Sequence, residues 1–375
     1  MQMKILMLSL MLLVFSCNPQ EEKGSTIDDI RQGLENPETP GEPETPGEPG
    51  DSPADSFVTE AMIQAAEATD LMVEKAAAYR EASMLEGKRN GIYVYSGATF
   101  DAYVSKPEKL AARIAMLGFK DVYLSPGTSR ISNASDALRK FIGACSGYGI
   151  DVYAIGSAES SQYLANAARV TQDVNAILNY NNKVSYGQKF AGISADIEPH
   201  TVHDKLSATY PYTWDSSTNY GKGKDNDQLL KLTLERLESA GTALHSAGLK
   251  LGEAIFYNYQ IYFNQGQLEY GSTAQFLKSC DYLVTMAYLT NKDSIWNKSE
   301  PGLKAAGKAN SVSICVKTRI NNDSGSSIQS LGWNNLLEVA KFINQKGAGY
   351  ESYRGFDMFT FDGIETMWEW KNDKN

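Results

Sequence analysis

From residue 57 onward, the hydrophobic positions switch repeatedly between two periods. Residues 57–87 place Val58, Met62, Ala65, Ala66, Leu71, Met72, Ala76 and Tyr79 at three-to-four spacing, which predicts a helix. No β-like run precedes it, so it reads as an N-terminal extension covering one end of the main domain. Short β-prone runs then take turns with amphipathic ones. Strands are predicted at 91–97, 119–126, 150–156, 190–198, 249–257, 282–288, 312–320 and 355–361. Helices are predicted between them at 107–117, 135–148, 160–179, 227–247, 273–279, 301–310 and 333–346, and a short aromatic tail, 364–370, closes the chain. Glycine ends helices just before strands enter, as in Leu117-Gly118-Phe119 and Gly248-Leu249-Lys250. Eight strands joined by crossover helices predict a parallel, closed (β/α)8 TIM-type barrel with an N-terminal helical extension. The competing architecture is an open doubly wound sheet. No Gly-x-Gly-x-x-Gly follows the first strand, which weighs against a dinucleotide fold.

The chain before residue 57 carries a different pattern. Lys4 precedes an apolar run at 5–15 that is too short to span a bilayer as a helix, and Ser16-Cys17 follows. This is expected to be a bacterial lipoprotein signal over 1–16, with lipid on the sulfur of Cys17; an ordinary secretory signal is the alternative. Residues 17–55 then read as a tether. The hexapeptide Glu-Thr-Pro-Gly-Glu-Pro occurs at 38–43 and again at 44–49, a composition that cannot bury a core. Residues 18–55 hold eleven acidic and two basic side chains, so most of the net charge of −10 belongs to the tether. About −2 remains for residues 56–375, the predicted barrel domain. No basic stripe is present, so nucleic acid is not expected as a partner. Cys145, Cys280 and Cys315 are widely spaced in apolar contexts and read as small buried hydrophobes rather than a disulfide framework or zinc site. The expected location is the bacterial cell envelope, at the surface or periplasmic face of the outer membrane.

In a barrel of this type the site lies at the C-terminal strand ends. The fourth strand reads Phe-Ala-Gly-Ile-Ser-Ala-Asp-Ile-Glu-Pro-His over 190–200. Side chains alternate on a strand, so Ser194, Asp196 and Glu198 project together while Ala195 and Ile197 point the other way. Two carboxylates side by side push each other's pKa apart, so one can hold a proton, as an acid catalyst requires. The alternative is a strand that simply turns polar as it meets solvent. The other strand ends bring Tyr95, Tyr257, Asn258, Tyr288, Arg319 and Asp362, and loop 199–224 adds Trp214. Aromatic faces, amides and a few charges suit a polyhydroxylated ligand. Glu253 is either a second catalytic carboxylate or an ion-paired barrel residue. His200 and His203 beside Asp196 and Glu198 raise a metal site, but Pro199 redirects the chain and neither metal nor cofactor is expected.

These motifs resemble glycoside hydrolases of family 18, the chitinase and endo-β-N-acetylglucosaminidase-like enzymes. Their strand-four pattern Asp-x-x-Asp-x-Asp-x-Glu appears as Ala191-Gly192-Ile193-Ser194-Ala195-Asp196-Ile197-Glu198, with the first two Asp replaced. The strand-three Ser-x-Gly-Gly appears loosely as Ala154-Ile155-Gly156-Ser157. The strand-six Met-x-Tyr-Asp appears as Met286-Ala287-Tyr288-Leu289, and Thr360 or Phe361 stands where the family has a strand-eight tryptophan. The resemblance implies substrate-assisted, retaining hydrolysis of N-acetylglucosamine-containing glycans. Glu198 would be the general acid. Asp196 would orient the acetamido group, and Tyr288 would hydrogen-bond it. Met286 and Ser194 would lie against substrate. Strand seven ends in Lys317-Thr318-Arg319, so no carboxylate stands there as a nucleophile. The substitutions at 191 and 194 leave a second reading open, a non-catalytic glycan-binding lipoprotein on the same barrel.

Overall fold

The structure, a computed structural model, describes residues 57–97, 99–156, 160–320 and 326–369. The signal, Cys17, the tether and Ser157 lie outside these residues. β1 (Gly91–Tyr95), β2 (Asp121–Ser125), β3 (Asp151–Gly156), β4 (Gly192–Ala195), β5 (Lys250–Phe256), β6 (Tyr282–Met286), β7 (Val312–Lys317) and β8 (Tyr353–Phe359) pair in parallel and in sequence order. Ile92 opposite Met358 closes the barrel, so all eight predicted strands form the expected (β/α)8 architecture.

The helices depart from expectation in instructive ways. The predicted helix 57–87 is two, α1 (Glu60–Ala66) and α2 (Asp70–Ser83). Glu67 takes a left-handed conformation after α1, and the Thr69 hydroxyl accepts the Met72 N–H to start α2 anew. Nor do they cap an end. α1 packs on α3 (Pro107–Met116), and α2 packs on α12 (Trp333–Gly347) and α13 (Phe361–Glu369) in the outer helical ring. Tyr79 meets Trp333 at 6.0 Å, and the Trp368 indole N–H donates to the Met72 carbonyl at 2.6 Å. The aromatic tail is therefore a structural helix.

Between these, α4 (Thr128–Ser132) and α5 (Asp136–Gly147) follow β2. α6 (Ser160–Ala165) and α7 (Ala167–Asn181) replace the single helix expected after β3. The Asn166 side chain accepts the Ala168 N–H and begins the second of them. α8 (Asp225–Ser246) follows β4, and α9 (Asn258–Asn264) and α10 (Thr273–Phe276) follow β5. α11 (Lys292–Ala305) starts nine residues earlier than the pattern predicted, because Asn291 caps it and Pro301 is carried inside.

The barrel interior is filled mainly by tyrosine. Tyr93, Tyr123, Tyr153 and Tyr282 form one buried cluster with Val284 and Cys315. Space for two of these rings comes from glycine. A Cβ on Gly91 would lie 2.5 Å from the Tyr123 ring, and one on Gly252 would lie 2.2 Å from the Tyr282 ring. Below them sits a charged network. A bulge in β8 opposite Val312 and Ser313 lets Arg354 and Asp357 both reach inward. Arg354 pairs with Asp121 at 2.6 Å and lies 4.1 Å over the Tyr282 ring. Arg89 bridges Asp121 at 2.6 Å and Asp151 at 2.8 Å. Asp357 accepts from Tyr123 and from the Gly91 N–H; burial pushes its pKa up to about 6, against the pull of Arg354. The barrel is thus closed at its N-terminal end by a buried Arg354–Asp121 pair, with half-exposed Arg89 and Asp151 continuing the network to the surface.

Removing one partner from a buried pair strands the other. Arg354→Met is expected to cost about 3–5 kcal/mol in urea unfolding, and a loss below about 1 kcal/mol would mean that Arg89 alone satisfies the interior carboxylates.

Candidate active site

β4 ends at Ala195, yet the chain stays extended through Glu198 because neighbours take up its amides. The Asp196 N–H donates to the Gly156 carbonyl on β3 at 3.1 Å. The Ile197 N–H donates to Glu253 Oε1 on β5 at 3.1 Å. The Glu198 N–H donates to the Ser160 hydroxyl of α6 at 2.8 Å. Pro199 then begins a single 3-10 turn, closed by Thr201, whose N–H and hydroxyl both donate to the Glu198 carbonyl. The stretch does not run into solvent; it is pinned from both sides.

The alternation expected for this strand is present. Ile193, Ala195 and Ile197 pack in the outer core, and Ser194, Asp196 and Glu198 occupy the other face. The Asp196 and Glu198 side chains hydrogen-bond each other. Burial raises both carboxyls, and the Asp196 charge raises Glu198 further, so the pair can hold one proton between them. Ser194 is 1% exposed. Its Oγ makes no well-formed hydrogen bond, and the polar group it influences is the Tyr282 phenol of the barrel interior rather than either carboxyl.

Tyr95 and Tyr288 face this pair. Burial lifts both phenols well above their ordinary range, and both feel the charges of Asp196 and Glu198. Phe359, at the end of β8, lies 5.6 Å from Tyr95 and 5.4 Å from Tyr288 and forms the floor between them. Sequence reasoning missed it and assigned the place to Thr360 or Phe361. Both of those are fully buried. Alternation from inward-facing Asp357 would have found Phe359.

Several further expectations change. Arg319 pairs with Asp362 at 3.4 Å, not with Glu198, and its charge is felt by Tyr95 at the rim. Tyr257 and Asn258 sit half-buried at the start of α9, with Lys298 over the Tyr257 ring at 5.5 Å and 3.5 Å from Asn258 Oδ1. Met286 is buried at the top of β6. Trp214, expected to stack on ligand, is only 7% exposed. It anchors loop 199–224 against His200, Tyr220 and Tyr259, because the loop folds back and the Trp214 N–H donates to the Val202 carbonyl.

His200 is not a solvated loop side chain. It stacks on Phe256 at 4.4 Å, its Nδ1 is 2.7 Å from the Tyr259 hydroxyl, and its Nε2 is 3.8 Å from Glu198 Oε2. Burial, and secondarily His203, lower its pKa to about 4, so it stands beside Glu198 uncharged. Among the described residues no group of three or more His, Cys, Asp or Glu side chains is arranged to hold a metal. Glu253 is neither of the things anticipated. It forms no ion pair among the described residues, and it shares the outward face of β5 with Leu251 and Ile255.

The fold and site together define a parallel α/β barrel with a proton-sharing carboxylate pair at the end of strand four. No family model and no curated protein matches the chain. Its structural neighbours are family 18 chitinases and related glycoside hydrolases. They include a chitinase from Chromobacterium violaceum, at 12% identity and a TM-score of 0.45, over 76% of this chain and 100% of that one. Another is a family 18 chitinase from Pseudoalteromonas aurantia, at 14% and 0.47, over 75% and 97%. A third is the PgaB (BpsB) glycoside hydrolase domain from Bordetella bronchiseptica, at 12% and 0.47, over 75% and 96%. At such values the likeness is one of general barrel architecture, and the chemistry is read from this chain's own residues.

A histidine that is neutral when folded and charged when unfolded lowers stability as pH falls from its unfolded pKa of about 6.5 towards its folded one. The His200 ring is expected to titrate near pH 4 by NMR. His200→Phe, which keeps the stack on Phe256, should lose that part of the acid sensitivity. Titration of His200 at an ordinary histidine pH would show that the ring is solvated.

Proposed function

We propose that the chain is a hydrolase of N-acetylglucosamine-containing glycans, working by substrate-assisted retention with Glu198 as general acid. The observation that carries this reading is the Asp196–Glu198 pair on the inner face at the end of β4, beside Tyr288, where burial raises both carboxyls so that one proton can be held there. Glu198 gives that proton to the glycosidic oxygen as the C1–O bond breaks. The substrate's 2-acetamido carbonyl oxygen bonds to C1 from the opposite face. Asp196, left ionised, accepts from the acetamido N–H and offsets the positive charge that develops there. The Tyr288 hydroxyl donates to the acetamido oxygen. Water then attacks C1 from the face the leaving group vacated, the bond from C1 to the acetamido oxygen breaks, and the water surrenders a proton to the Glu198 carboxylate, which restores the acetamide and the acid with the anomeric configuration retained. A substrate nucleophile is favoured because the remaining carboxylates are unsuited: Asp362 is held by Arg319, and Glu253 lies outside the barrel wall.

One observation favours a second reading, a non-catalytic glycan-binding protein. Ser194 stands where the family has an acid, and its hydroxyl makes no well-formed hydrogen bond to either site carboxyl. Calorimetry on a glycan panel with product analysis separates the two, since binding without cleavage supports the second. We further propose that the domain is displayed at the cell envelope by lipid on Cys17, supported by Lys4, the apolar run at 5–15 and Ser16.

Glu198→Gln is expected to lower turnover by roughly 10²–10⁴-fold while the fold is kept, as read by circular dichroism; wild-type turnover in that variant excludes Glu198 as the acid. Because the acid form is the active one, activity should fall as pH rises through the displaced Glu198 titration. Asp196→Asn leaves the burial that chiefly raises Glu198 but removes the charge that adds to it, so the alkaline limb should move to lower pH. An unmoved limb would assign it to another group. Cys17→Ser should release the protein from the membrane fraction to the soluble one, and retention there would exclude a lipid on that sulfur.

A further inference from the structure

Beyond the Ala195–Glu253 pairing, β4 and β5 part, and the next amide of β4 finds a side chain rather than a carbonyl. That amide belongs to Ile197, the residue between the two site carboxylates. Glu253 reaches it from the outer face of β5 with Oε1, while Oε2 has no hydrogen-bond partner among the described residues and the residue is 0% exposed. A side chain of this kind is costly to bury, and an apolar one would fill the space between strand and helices at less cost.

We propose that Glu253 is a positioning residue for the site, its Oε1 clamping the Ile197 amide from outside the barrel so that Asp196 and Glu198 are held on the inner face. The role rests on the hydrolase reading for its consequence, but the clamp itself does not. The titratable groups electrostatically coupled to Glu253 are Asp196 and Glu198 across the wall at the end of β4, Tyr259 on α9, and Cys280 ahead of β6. None is a cation. Burial, reinforced by the two neighbouring carboxyls, drives Glu253 well above the carboxylate range, so it clamps as a neutral acid. In that form Oε1 accepts from Ile197 without adding a second negative charge beside the proton-sharing pair. A carboxamide reproduces the acceptor; a thioether does not.

Glu253→Gln and Glu253→Met test this, with three readouts of which two need no substrate. The Gln variant is expected to hydrolyse glycan within about threefold of wild type, with the alkaline limb unmoved. The Met variant should lose roughly 10- to 100-fold in kcat with little change in KM, since the acid is displaced and not removed. Hydrogen exchange at the Ile197 amide should be slow in wild type and the Gln variant and at least about tenfold faster in the Met variant. The third readout is melting against pH. A carboxyl whose folded pKa is raised keeps its proton where the unfolded chain has lost it, so stability falls as pH rises above about 4.3. The Gln variant lacks that slope. It should therefore melt above wild type at pH 7, with the gap closing near pH 4. Equal Ile197 protection in all three proteins overturns the clamp, and so does a Gln variant that melts no higher than wild type at pH 7. If the Met variant does not fold, the melting gap of the Gln variant decides alone. If wild type cleaves no glycan while the exchange pattern holds, the hydrolase reading fails and the clamp stands.

Discussion

Three consecutive backbone amides, those of Asp196, Ile197 and Glu198, set the geometry of the site. Each is held by a different neighbour: a β3 carbonyl, a β5 carboxyl and an α6 hydroxyl. A strand that ended at Ala195 without these bonds would leave three donors to water or to disorder. Held as they are, the backbone keeps its alternation past the ladder. That extension places Asp196 and Glu198 on the inner face, above the tyrosine-filled interior.

The interior explains why that platform is firm. Tyrosines from β1, β2, β3 and β6 pack against one another, with Arg354 lying over the Tyr282 ring. The charges that close the lower end, Arg89, Asp121, Arg354 and Asp357, satisfy one another and several phenols or backbone groups. Breaking one contact leaves others buried and unpaired, so the lower half resists piecemeal rearrangement. The upper half carries the opposite balance. There, carboxyls outnumber cations, and the excess negative charge is resolved by protons. The same low dielectric that makes the lower pairs firm raises the Asp196 and Glu198 carboxyls above, so that the pair can hold a proton.

Ser194 marks where this site departs from the pattern it resembles. A third acid on the inner face of β4 would share the proton of Asp196 from below; a hydroxyl does not. Ser194 Oγ is buried without a well-formed hydrogen bond, and its influence falls on the Tyr282 phenol. Asp196 instead meets Glu198 directly, so the inner face of β4 carries one proton between two carboxyls.

The eight strands were legible because each is a local property: a short β-prone run bounded by glycine, proline or a polar turn. So was the carboxylate pair, since i, i+2 spacing on a strand fixes the shared face without knowledge of the partner strands. Helix boundaries were less legible. Caps at Thr69, Asn166 and Asn291 divided or extended apolar runs that periodicity alone read as continuous or shorter. The remaining features depend on contacts between residues far apart in sequence. Phe359 as the floor, Trp214 as a loop anchor, the neutral His200 and the Arg319–Asp362 pair each required knowing which groups meet. Glu253 is the clearest case. Its type and strand were readable, but a one-dimensional pattern assigns a strand carboxylate either to an ion pair or to catalysis. Only the closed barrel, by bringing β5 beside the end of β4, gave that carboxyl an amide to hold and, among the described residues, no cation to pair with.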